Sequence, residues 1–142
     1  MSLQGKRIFI VEDNFQNRIV FLTILKMHGV WMEFDRWGTE TLWRLRSFKQ
    51  VDLIILDLML TAGISGYDVF DQIRGLPEYG QTPIIAVSAA DPVIAIPKTQ
   101  QKGFAGFIAK PIDDELFPKQ LAQVIAGEPV WYAGERYHGI GD

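Results

Sequence analysis

The sequence contains no cysteine, so disulfides and thiolate metal sites are excluded, and His28 and His138 are the only nitrogen ligands left. Any metal bound by the chain must then be held mainly by oxygen. A surplus of cations is missing too: 14 Lys and Arg stand against 17 Asp and Glu, a formal net charge of -3, and no basic field exists to hold a nucleic-acid backbone. Direct DNA binding is not expected. Long apolar runs are absent; the longest are of strand length, far short of the roughly 18 residues that span a bilayer, and the N-terminus lacks a signal-like apolar region. The reading is a cytoplasmic protein with no membrane segment.

What is present is enough apolar material for one buried core, 48% of 142 residues. Short apolar runs alternate with segments of helical period, the mark of a parallel α/β sheet. Arg7–Val11 reads as a first strand. Asp13 or Asn14 caps a helix to His28, along which Phe15, Ile19, Leu22 and Leu25 follow helical spacing. Residues 30–34 form a second strand and 39–48 a helix with Leu42, Leu45 and Trp43 turned inward; Trp31, Trp37 and Trp43 are expected to pack there. Residues 51–60 are the most apolar run and read as a central strand carrying Asp57 near its end. Gly66–Arg74 is a helix, 83–88 a fourth strand, 104–109 a fifth, and 113–126 a last helix capped by Asp113. Between the last two strands, Pro92 and Pro97 leave room for only about a turn of helix, at 98–102.

The expected architecture is α/β: a flavodoxin-like, doubly wound, five-stranded parallel sheet in the order 2-1-3-4-5, a three-layer sandwich with a shortened fourth helix. Residues 1–126 form the domain. Residues 127–142, with Trp131, Tyr132 and Tyr137 among glycines, form a tail expected to fold back over it rather than serve as a partner-binding strip.

Ligands of such sheets sit at the carboxyl ends of the strands. Read in order, those ends supply Glu12 and Asp13, then Asp57, then Ser88, then Lys110 and Pro111. Alone, Asp57 would be a turn residue or a helix cap, Glu12 and Asp13 acids at a helix start, and Lys110 a surface lysine. Together they are hard to explain without a cation, because crowded carboxylates resist ionisation. Oxygen ligands select Mg²⁺ or Mn²⁺, which favours one or two carboxylates plus phosphate oxygens. Asp57 then fits a phosphoryl acceptor, with Lys110 and Ser88 holding phosphoryl oxygens.

These residues resemble the response-regulator receiver family over about residues 6–126, through the acidic pair Glu12 and Asp13, the acceptor Asp57, Ser88, Phe107 three residues before Lys110, and Lys110-Pro111. The resemblance implies that the backbone carbonyl of Met59 joins Glu12, Asp13 and Asp57 around the metal, that the Lys110–Pro111 peptide is cis, and that Phe107 turns inward as Ser88 shifts. It also implies a sensor histidine kinase or phosphotransfer protein as donor, a downstream protein target, and a face open to homodimerisation. No separate substrate is turned over; the chain acts only on its own acyl phosphate.

Two departures stand out. Thr61 occupies the place of the family's usual proline after the acceptor, and Gly66 falls one residue late, so an insertion lies within 61–65. The second is the proline pair at the fourth helix. These two features are the only support for the alternative of a receiver-fold interaction module that works without phosphorylation, since all the acceptor chemistry remains. Haloacid-dehalogenase-type phosphohydrolases, which need a second Asp two residues after the nucleophile, are excluded by Met59.

Overall fold

A computed structural model describes residues 2–134. Six parallel strands form one sheet: β1 (Arg7–Val11), β2 (Trp31–Asp35), β3 (Leu53–Leu56), β4 (Ile84–Ser88), β5 (Gly106–Ala109) and β6 (Val130–Tyr132), in the spatial order β2-β1-β3-β4-β5-β6. The helices are α1 (Phe15–Met27), α2 (Thr41–Phe48), α3 (Gly66–Arg74), α4 (Pro92–Lys102) and α5 (Leu116–Ile125), with a 3₁₀ turn at Pro77–Tyr79.

Strand periodicity sorts the core into two layers. Phe9, Val11, Ile54, Leu56, Ile84, Ala86 and Phe107 face one way, against Leu45 of α2, Val69, Phe70 and Ile73 of α3 and Ala95 of α4. Ile8, Ile10, Leu53, Ile55, Ile85, Val87 and Ile108 face the other way, against Phe21 and Leu25 of α1 and Phe117, Leu121 and Val124 of α5. Each large side chain buried this way is worth about 1.5–3 kcal/mol. The doubly wound sandwich is thus as expected, and no described helix is long and apolar enough to cross a membrane.

The fold departs from the sequence reading in four places. First, the tail does fold back, as a sixth strand rather than a loose cover: Val130–Tyr132 pairs in parallel with β5. Tyr137 and His138 lie outside the described residues.

Second, α4 is a full helix of 11 residues and not a single turn. Asp91 caps it, its Oδ1 accepting from the Val93 amide at 3.1 Å, and Pro92 at the first position lacks only an N–H that would have had no helical partner. Gly103, at φ 103°, closes the other end, where the Phe104 amide reaches the Thr99 carbonyl at 3.0 Å. With both ends fixed and Ala95 and Thr99 buried, the helix tolerates Pro97, whose missing N–H leaves the Val93 carbonyl without its intrahelical donor.

Third, α1 buries Phe21 and Leu25 and turns Phe15, Ile19 and Leu22 outward, 64%, 44% and 40% exposed. Of the four residues that showed helical spacing only Leu25 faces the sheet, and Phe21, outside that spacing, joins it there. Fourth, Trp31, Trp37 and Trp43 are exposed, because β2 is an edge strand and α2 needs only Leu45 and Leu42 to fill its contact with the sheet.

Candidate functional site

Parallel pairing brings the ends of β1 and β3 level. Val11 sits beside Leu56 in the ladder, and the Asp57 amide donates to the Val11 carbonyl at 3.0 Å, so the next residues on each strand, Glu12 and Asp57, emerge side by side. Both are buried, at 1% and 6% exposure. One ligand oxygen from each of Glu12, Asp13 and Asp57 lies within 4.8 Å of the others.

Lys110 enters from the end of β5. Its Nζ donates to Glu12 Oε1 at 2.6 Å and to Asp57 Oδ2 at 3.0 Å. Its backbone amide donates to the Ser88 carbonyl at 2.9 Å, tying the end of β5 to the end of β4. Ser88 is fully buried, and its hydroxyl oxygen accepts from the Ala90 amide at 3.2 Å. Phe107 is fully buried as well, in the layer that holds α4. The Lys110–Pro111 peptide is cis.

Burial drives the Glu12 carboxyl above its ordinary pKa; the hydrogen bond from Lys110 pulls it down, and the Asp57 charge pushes it up again. A desolvated acid beside another acid is a poor resident unless a cation neutralises the pair. One ammonium pairs with two of the three clustered carboxylates, and a hard divalent ion matches the oxygen-only donor set. The residues therefore fit Mg²⁺ or Mn²⁺.

The supporting residues are local in origin. The Asn14 amide donates to Glu12 Oε2 at 3.2 Å, and Arg18 Nη1 to the Glu12 carbonyl at 3.1 Å. The Met59 amide donates to Asp57 Oδ1 at 3.1 Å, which sets the Met59 peptide against that carboxylate. At Gly66 a Cβ would collide with the Asp57 carbonyl oxygen and lie 2.8 Å from the Leu58 Cα, so only glycine lets α3 begin this close to the site.

All the predicted strand-end residues thus gather along one edge of the sheet. Thr61 escaped the sequence reading, which saw it only as a departure: its amide and its hydroxyl both donate to Asp13 Oδ2, at 2.8 and 2.7 Å. The clue was a residue able to donate twice where a proline can donate nothing. The inserted segment itself ends in an ordinary helix start, with Ser65 and Asp68 forming a capping box for α3.

Comparison with known proteins agrees with this geometry. The family described as response regulator receiver domain matches residues 8–122. The polar-differentiation response regulator DivK of Brucella anthropi is 32% identical over 107 residues, covering 75% of this chain and 85% of DivK. The sensory/regulatory protein RpfC of Xanthomonas campestris pv. campestris is 28% identical over 112 residues, 78% of this chain but only 15% of that much longer protein. Among solved structures, the receiver domain of sensor histidine kinase PA1611 from Pseudomonas aeruginosa PAO1, with a magnesium ion in its active site cleft, aligns with a TM-score of 0.75 at 26% identity over 87% of this chain and 99% of that one. Fold, site and sequence point the same way, and the chain belongs to the response regulator receiver domain family.

Proposed function

We propose that the chain takes a phosphoryl group onto Asp57 from the phosphohistidine of a sensor histidine kinase or a phosphotransfer protein. It uses Mg²⁺ or Mn²⁺ and signals in the cytoplasm by phosphorylation-dependent contact with a downstream protein. The observation that carries this reading is the meeting of Glu12, Asp13, Asp57 and Lys110 around one point, three acids and one ammonium from the ends of three strands. The magnesium in the cleft of the PA1611 receiver domain supports the choice of ion.

In this mechanism an Asp57 carboxylate oxygen attacks phosphorus; the new O–P bond forms as the P–N bond to the donor imidazole breaks, and the electron pair leaves with that nitrogen. The divalent ion, when bound, offsets charge on the carboxylates and the phosphoryl oxygens. Glu12, Asp13, Asp57 and the Met59 carbonyl are the groups that would hold it. Lys110 exchanges its carboxylate partner for a phosphoryl oxygen as a point charge. The Ser88 hydroxyl donates to another oxygen, and Phe107 is held inward as the occupied state gains population. Hydrolysis of the acyl phosphate resets the chain, which processes no other substrate.

The alternative of a phosphorylation-independent module loses its motivation here. The fourth helix is whole, and the 61–65 segment contributes Thr61 to the site. Incubation with Mg²⁺ and beryllofluoride, followed by ¹⁹F NMR, separates the two readings. The acceptor reading expects a bound-fluoride signal that disappears in Asp57→Asn; absence of any such signal in the unaltered protein would favour the passive module.

A further inference from the structure

β6 lies on the outer side of β5 with Gly106 opposite Val130, Phe107 opposite Trp131 and Ile108 opposite Tyr132. Alternation puts Trp131 against the layer that contains Phe107, while Val130 and Tyr132 pack against the layer that contains Ile108. The fit is close. A Cβ at Gly106 would stand 2.6 Å from the Val130 carbonyl oxygen, although the backbone there has no positive φ that would demand glycine. Space, not conformation, excludes a side chain at that position, and what fills the space is β6 together with Ile85, whose Cγ2 would be 3.2 Å away.

This strand lies opposite Phe107, and the chain after it shares a cleft wall with Lys110. Without it β5 would be the edge of the sheet; in its presence Phe107 is fully buried, with Trp131 opposite it on β6. Further on, the chain crosses the carboxyl end of β5. An ideal Cβ at Gly134 would lie 3.8 Å from the Ala109 Cβ, and residues 132–134 share the wall of a cleft of about 470 Å³ with Ala109, Lys110 and Pro111. Lys110 is the same residue whose ammonium bridges Glu12 and Asp57.

We propose that β6 is a strap whose docking on β5 is coupled to the state of Asp57. Docked, it keeps Phe107 inward; an occupied Asp57, which draws Lys110 and Ser88 toward the phosphoryl group and selects inward Phe107, strengthens the docking. Linkage makes the effect reciprocal, so loosening the strap weakens the occupied site by the same factor. The inference rests on the acceptor reading of Asp57.

The test is amide hydrogen exchange on the whole chain, with and without Mg²⁺ and beryllofluoride, adduct formation being followed separately by ¹⁹F NMR. Ligand binding slows exchange from global opening everywhere, so the opposite edge strand, β2, is the internal reference. Coupling of ordinary size predicts that exchange at Val130–Tyr132 slows by about fivefold or more beyond the slowing at β2. Equal slowing of both edges, or faster exchange at β6, overturns the proposal while the NMR signal upholds the acceptor reading. No bound-fluoride signal at all overturns both. Gly106→Ala supplies the reciprocal arm: faster exchange at β6 should go with beryllofluoride affinity weakened by about fivefold or more. Unchanged affinity alongside a freed strap overturns the coupling, and if that variant does not fold the unaltered chain decides alone.

Discussion

Thr61 grips a single oxygen of Asp13 twice, through its backbone amide at 2.8 Å and its hydroxyl at 2.7 Å. That oxygen belongs to one of the three carboxylates gathered at Asp57, so Thr61 orients an acid of the cluster that could hold a metal.

Replacing Thr61 with valine keeps the amide and removes the hydroxyl; replacing it with proline removes both donors. Outer-shell partners of this kind are worth about 10–100-fold in metal affinity. Isothermal titration with Mg²⁺ should show Thr61→Val near the lower end of that range and Thr61→Pro weaker still. Equal affinity in all three proteins would mean that Asp13 is oriented by something else.

Lys110 is the counter-charge for Glu12 and Asp57, and its side chain is only 14% exposed. Removing one partner of a buried ionic group costs about 3–5 kcal/mol. Lys110→Met is therefore expected to lower metal-free stability by about 3 kcal/mol in urea unfolding with chelator present, part of which Mg²⁺ restores by supplying positive charge. A loss that Mg²⁺ does not reduce would show that the ammonium matters for packing and not for charge.

The capping box at α3 carries a pH signature. Hydrogen bonds from the Ser65 amide and hydroxyl hold the Asp68 carboxyl below its ordinary value of 3.8. A depressed folded-state pKa means that the unfolded chain binds the proton first, so this contribution is complete above pH 3.8 and is lost as pH falls through the lower folded value. Asp68→Asn should flatten stability against pH below that point and leave its shape near neutrality unchanged. Acid titrations of the two proteins, followed by circular dichroism, make the comparison.

Pro97 interrupts α4 without ending it. Pro97→Ala restores an N–H for the Val93 carbonyl and removes the steric conflict of the ring, so stability should rise by about 1–3 kcal/mol in urea unfolding. A fall in stability would mean that the ring itself contributes packing against neighbouring side chains.

The alternation of apolar runs and helical segments made the sandwich legible from sequence, because residues such as Ile54 and Ile55 are buried on both faces and leave no polar signal within the strand. The site was legible only as a set: each charged residue alone reads as a cap, a turn or a surface residue, and it is their convergence at the ends of several strands that points to a cation. The length of α4 was not, since local rules price Pro97 but cannot see Ala95 and Thr99 buried beneath it or the Gly103 cap. β6 was hidden by its brevity, three residues after the short turn at Gly127–Pro129. On α1, helical spacing included Leu25, which does meet the sheet, but could not single it out from the exposed Phe15, Ile19 and Leu22 or find its buried companion Phe21.

The added strand changes what the sheet offers to other molecules. Main-chain groups of β5 that would stand open along the rim are answered by Val130–Tyr132, and among the described residues the new rim on that side is three residues long. A short border is a poor template for a foreign strand, so unwanted backbone-to-backbone growth on this flank is suppressed. The five-residue margin at β2, with Trp31 65% exposed upon it, is left as the longer of the two borders.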